Sequence, residues 1–147
     1  MDYKLLCAQL KALTEDVENV ISNLSNASAL LWQELADINW AGFYKMEGGI
    51  LVLYPFQGKP ACTKIAVGKG VCGTAVAENR TQLVPDVHQF PGHIACDCAS
   101  NSEIVLPLHK NGEIWGVLDI DSPYIGRFTE EDKAGLMAFA AALEKIL

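Results

Sequence analysis

Apolar residues recur at helical spacing over the first third of the chain, and the period then shortens to that of strands. Leu5, Leu6, Leu10 and Leu13 predict a first helix. Thr14, followed by Glu15 and Asp16, reads as the cap of a second. Its stripe runs through Val17, Val20, Ile21, Leu24, Ala27, Leu30, Leu31 and Leu35, and Asp37 to Asn39 end it. From Trp40 the pattern is strand-like. Ala41 to Met46 and Ile50 to Tyr54 flank a Glu47-Gly48-Gly49 turn, and residues 62–67 read as another strand. Gly68-Lys69-Gly70 opens a short helix, Val71 to Glu78, and Gln82 to Val84 is a brief strand stopped by Pro85. After a long polar stretch, Glu103 to Leu108 and Ile114 to Ile120 flank Asn111-Gly112, a strong signal for a hairpin turn. Thr129, with Asp132 three residues on, starts a last helix through Leu136, Phe139, Ala140 and Leu143.

Helices, antiparallel strands, a long loop, a hairpin and a helix imply an α+β domain. It should hold one central antiparallel sheet, with the N- and C-terminal helices packed together on one face. A chain of 147 residues fits one domain, 1–147, with no repeat, low-complexity tract or linker. The net charge of −7 argues against a nucleic acid partner, and no polybasic run exists to hold an anionic membrane. The first residues mix Asp2, Lys4 and Lys11 among the leucines, unlike a secretory leader, and no run is long enough to span a bilayer. A cytoplasmic location is therefore expected, where structural disulfides are rare.

That expectation changes how the five cysteines, Cys7, Cys62, Cys72, Cys96 and Cys98, are read. Without a disulfide framework they point to chemistry or to packing. Cys7 suits a leucine-rich helix. Cys96 and Cys98 instead lie with His88 and His93 in the polar stretch between Pro85 and Asn101, long for a loop without function. Three readings compete there. Zinc could draw on both histidines and both cysteines, although Cys-x-Cys is tighter than the usual knuckle and has no mate. Plain packing suits Cys96 poorly beside Asp97, Ser100, Asn101 and Ser102. A reactive thiol, helped by His93 or Lys69 and resolved by Cys62 or Cys72, leads modestly.

Longer motifs weigh in. Gly70-Val-Cys72-Gly-Thr-Ala, Asp86-Val-His-Gln-Phe-Pro-Gly-His-Ile-Ala-Cys96-Asp, Ser102-Glu103-Ile-Val and Gly116-Val-Leu-Asp119-Ile-Asp121-Ser stand in order along the chain. With Trp40-Ala-Gly-Phe-Tyr44 and Phe56-Gln-Gly-Lys-Pro-Ala-Cys62, they resemble the free methionine-(R)-sulfoxide reductases over nearly the whole chain. Those are stand-alone GAF-type domains, and their three characteristic cysteines are matched by Cys62, Cys72 and Cys96. Cys98 is extra to that pattern.

The resemblance implies an oxidoreductase in which Cys96 attacks the sulfoxide sulfur and becomes a sulfenic acid. Cys62 then condenses with it to a disulfide, and a thioredoxin-type dithiol resets the enzyme. Cys72 is an alternative or relay thiol. No metal, flavin or nucleotide cofactor is needed. Asp119 and Asp121, two apart on a strand, face one side, while Leu118 and Ile120 take the core side. Crowded with Glu103, such carboxylates raise one another's pKa, so one keeps a proton at neutral pH. Glu103 is the assigned proton donor, and Asp119 and Asp121 the ligands of the substrate's ammonium group. Trp40 and Tyr44 would wall the pocket for the substrate methyl group, and His88 and His93 would order the loop. Relatives of this type often pair through their terminal helices, so a homodimer is an expected partner. The rival functions are a non-catalytic GAF sensor of a small ligand and a zinc-bound structural module.

Overall fold

Asp2 caps the first helix, α1 (Tyr3–Thr14), by accepting a 3.0 Å bond from Leu5 N. Here and throughout, the computed structural model describes residues 1–92 and 100–147. Thr14 closes α1 instead of opening the next helix, and its hydroxyl donates to Leu10 O at 2.9 Å. The cap of α2 (Val20–Glu34) is Asn19, which accepts from Ser22 N at 3.0 Å. The cause is Asp16, whose φ of 60° turns the chain out of the helical path and leaves Val17 exposed.

Six strands follow: β1 (Trp40–Glu47), β2 (Ile50–Gly58), β3 (Lys64–Ala66), β4 (Gln82–Val84), β5 (Ser102–Lys110) and β6 (Glu113–Ser122). Between β3 and β4 lies α3 (Gly70–Glu78), and a single 3-10 turn covers Val87–Gln89. The expected strand over 62–67 shrinks to three residues, leaving Cys62 and Thr63 in the connection before it. β2 runs past Tyr54 to Gly58, because the register against β1 slips between Gly42 and Tyr44 and absorbs Pro55 there. Asn111 and Gly112 both have positive φ, as the hairpin signal requires. Thr129 and Asp132 form the expected capping box of α4 (Glu130–Glu144).

The sheet is antiparallel throughout, in the order β3-β2-β1-β6-β5-β4. Strand alternation gives it two different faces. Ala41, Phe43, Ile104, Leu106, Leu108, Leu118 and Ile120 point to one, where α1, α2 and α4 supply Leu6, Leu10, Leu24, Leu31, Leu136, Phe139 and Leu143. This is the α+β arrangement expected, with the terminal helices together on one side. Burying a Leu or Phe here contributes about 1.5–3 kcal/mol each, so this face holds the fold together. α3 covers the other face, whose smaller cluster comprises Trp40, Tyr44, Leu51, Val71, Cys72, Val105 and Val117. Among the described residues no helix is long and apolar enough to cross a membrane.

Candidate active site

The second face is where polar groups are buried. β1, β6 and β5 lie side by side, with Trp40 opposite Asp121, Gly42 opposite Asp119, and Glu103 opposite Asp121. Opposed residues in a sheet share a face, so three carboxylates converge over the same patch. Leu118 and Ile120 take the other side, in the apolar core. Asp119 is 5% exposed, Asp121 8% and Glu103 9%.

α3 lowers a thiol onto this patch. Cys72, a free cysteine, donates from Sγ to Asp119 Oδ2 at 3.3 Å. Gly73 lets the start of α3 fold tightly against the connection from β3, where a Cβ would run into the Ala66 carbonyl. Asp119 Oδ1 is buried and has no hydrogen-bond partner among the described residues. Glu103 is within hydrogen-bonding reach of Asp119 and Asp121.

Burial, reinforced by the charge of Asp119, holds the Glu103 carboxyl well above the usual range. Burial and the neighbouring Asp121 charge do the same to Asp119. The Cys72 thiol is pushed up by burial first and by the three acids after it, so at neutral pH it is a thiol. A patch this crowded keeps at least one proton and attracts positive charge.

Aromatic rings form one side. Trp40 stacks on Phe56 at 5.1 Å between centroids and on Tyr44 at 5.9 Å. Phe56 was named within a motif but given no role from sequence, since the slip in β2 hides which way it points. Gly42 is what admits it, because any Cβ there would collide with Phe56 Cβ. The polar ends of Trp40 and Tyr44 reach the connection after β2. Trp40 Nε1 donates to Lys59 O at 3.1 Å and the Tyr44 hydroxyl to Cys62 O at 3.0 Å. Cys62 is half-buried and disulfide-bonded.

Cys96, Cys98 and His93 lie outside the described residues. The described residues flanking them are anchored beside the acids. Gly70 N, at the start of α3, donates to Gly92 O at 3.2 Å, and Asn101 N donates to Ser122 O at 2.8 Å. His88 Nε2 and Asn101 Oδ1 lie 2.9 Å apart across this loop. Cys7 stays on α1, half-buried against the apolar core, its pKa raised by burial.

Residues 12–147 match the GAF domain family. The chain is 58% identical to the free methionine-R-sulfoxide reductase of Escherichia coli, across 99% of this chain and 88% of that one. It superposes on fRMsr of Staphylococcus aureus in complex with substrate with a TM-score of 0.95 and 55% identity, covering 99% of this chain and 95% of the other. The free methionine-R-sulfoxide reductase from Neisseria meningitidis in complex with its substrate gives 0.95 at 42% identity, covering 98% and 87%. With nearly its whole length and its fold matched, the chain belongs to the GAF domain family, among the free methionine-R-sulfoxide reductases.

Proposed function

We propose that this chain reduces free methionine-(R)-sulfoxide to methionine, with Cys96 as nucleophile. The observation that carries the reading is the buried Glu103–Asp119–Asp121 cluster set against the Trp40–Tyr44–Phe56 wall. A sulfoxide oxygen leaves poorly unless protonated, and a zwitterionic amino acid brings an ammonium group. One patch with both a retained proton and excess negative charge suits both needs. A methionine within a polypeptide has no free ammonium, which accounts for a preference for the free amino acid.

The Cys96 thiolate attacks the sulfoxide sulfur while Glu103 delivers a proton to the oxygen. Methionine leaves, and the oxygen stays on Cys96 as a sulfenic acid. The Cys62 thiol attacks that sulfur, water departs, and a Cys62–Cys96 disulfide remains. A thioredoxin-type dithiol then reduces it by exchange and is itself oxidised to a disulfide. Cys62 rather than Cys72 fits the resolving role, since Cys62 is disulfide-bonded here while Cys72 is free and its thiolate is disfavoured. Trp40 and Tyr44 hold the methyl-bearing end, and Asp119 and Asp121 the ammonium. Two copies associating through the terminal helices would cover Leu5, Leu13 and Met137, exposed on α1 and α4.

Incubation with free methionine-(R)-sulfoxide and dithiothreitol should release methionine, and Cys96→Ser should abolish release. Cys62→Ser should yield about one methionine per chain and then stall when thioredoxin is the reductant. Absence of turnover with the (R) epimer overturns the reading and leaves a ligand-binding GAF module. Normal recycling by Cys62→Ser moves the resolving role to Cys72 or Cys98.

A further inference from the structure

The Cys72–Glu103–Asp119 cluster has the donor set and spacing of a cation site. One ligand atom from each lies within 4.8 Å of the other two, and all three residues are buried. Cys72 Sγ and Asp119 Oδ2 are 3.3 Å apart. Zinc–sulfur and zinc–oxygen bonds of about 2.3 and 2.0 Å at a tetrahedral angle would set two such ligands about 3.5 Å apart. A second observation is independent of this spacing. Asp119 is 5% exposed, and its Oδ1 has no hydrogen-bond partner among the described residues. Buried carboxylate oxygens ordinarily find donors. Among the described residues, no Lys or Arg forms an ion pair with any of the three. The negative charge is thus left for something that arrives.

We propose that Cys72, Glu103 and Asp119 bind one thiophilic divalent cation of the zinc class, which acts as a reversible blocker of this pocket and not as a cofactor. A mixed thiolate and carboxylate set favours zinc over magnesium or calcium, which prefer oxygen alone and more ligands. Binding displaces the protons that the cluster holds, so affinity rises with pH. Cys72 is free in the same structure in which Cys62 is disulfide-bonded, so the site persists in the disulfide state. Binding itself does not depend on the catalytic reading; only the blocking does, because the cation and the substrate ammonium would share Asp119.

Equilibrium dialysis of the full chain against zinc chloride, with cobalt(II) as a spectroscopic substitute, tests this without any activity assay. The expected result is one zinc per chain and a sulfur-to-cobalt charge-transfer band, in both the disulfide and reduced forms. Cys72→Ser should remove the band, and it and Asp119→Asn should each weaken zinc binding by more than about 100-fold, beyond the loss typical of outer-shell changes. The double variant Cys96→Ser/Cys98→Ser should keep both band and affinity. Absence of stoichiometric zinc overturns the proposal. So does binding lost in the double variant and kept in Cys72→Ser, which would place the metal on the neighbouring loop. If Cys72→Ser does not fold by circular dichroism, Asp119→Asn decides, and unchanged affinity there overturns the site. Displacement by excess magnesium would also count against it.

Discussion

Asp132 and Asp119 are both poorly exposed carboxylates, one on the helical side of the sheet and one on the α3 side. The protein treats them in opposite ways. Asp132 accepts from the Tyr3 hydroxyl at 2.6 Å, Thr129 N at 2.9 Å, Thr129 Oγ1 at 3.1 Å and Arg127 Nη1 at 3.2 Å. Burial pulls its pKa up, but those bonds and the Arg127 charge outweigh it and hold the carboxyl below its usual range. Asp119 has a 3.3 Å contact from a weakly donating thiol and Glu103 within hydrogen-bonding reach, and burial together with the Asp121 charge still pushes its pKa up. A carboxylate that serves the fold is surrounded by donors. One left short of them, at a cost in stability, is held for a ligand.

The sharpest way to break this contrast is to neutralise one acid on each side. Glu103→Gln should lower kcat by about 10²–10⁴-fold, the usual worth of a positioned proton donor, with a smaller change in KM. Asp132→Asn should leave activity per folded molecule intact and lower stability by about 2–3 kcal/mol. It leaves one acceptor oxygen where two serve the capping box and the link from α4 to Tyr3, and it removes the charge that faces Arg127. Steady-state kinetics and urea unfolding read the two effects. Lost activity in folded Asp132→Asn, or full activity in Glu103→Gln, would erase the distinction.

The same two groups give opposite pH signatures. Glu103 and Asp119 have raised pKa values in the folded chain, so they bind protons there that the unfolded chain has released. Their contribution is fully present below the ordinary carboxylate range and is lost as pH rises towards their folded values. Asp132 has a lowered value, so its contribution is present above that range and lost as pH falls through it. Asp119→Asn should therefore flatten the decline in stability as pH rises above the ordinary carboxylate range and add about 1–2 kcal/mol near neutrality. Asp132→Asn should cost most near neutrality and little at strongly acid pH. Denaturant curves across that range decide it, and an Asp119→Asn variant less stable than wild type at pH 7 contradicts the account.

Some of this contrast was legible from residue order. The i, i+2 spacing of Asp119 and Asp121 against Leu118 and Ile120 named both faces of β6, and Thr129 with Asp132 named the α4 cap. The junction after Thr14 was misread because Asn19 and Thr14 are both good caps, and only the positive φ of Asp16 selects between them. Most instructive is Glu103. Counting back from the Asn111-Gly112 turn with regular pairing, Lys110 with Glu113, would set Glu103 against Ile120 and on the apolar side. A register shift between Leu108 and His109 sets it against Asp121 instead. A bulge of that kind moves every side chain beyond it to the other face and leaves no mark in local composition. The Glu103 cluster was therefore expected from the motif resemblance and not from strand counting, whereas cross-strand meetings such as Trp40 with Phe56, or Tyr44 with Cys62, were named by neither.

The smallest expected effect concerns two tyrosines, Tyr3 partly buried and Tyr44 buried, which extend the same comparison. Tyr3 donates a hydrogen bond from its hydroxyl to Asp132, whereas Tyr44, although beside the acids, bypasses them and donates to Cys62 O. Burial and Asp119 push the Tyr44 pKa up, so the phenol keeps its proton and the bond persists across the working pH range. Tyr44 therefore positions the chain at Cys62 as well as walling the pocket. Tyr44→Phe keeps the ring and removes the bond, a net loss of about 0.5–1.5 kcal/mol, or about 2–12-fold in rate where that position matters. The loss should fall mainly on recycling with thioredoxin, and the first methionine released in a single turnover should be slowed less. Rapid-quench and steady-state measurements on one preparation separate the two steps. An equal decline in both would reduce Tyr44 to a wall of the pocket and leave Cys62 held by other contacts.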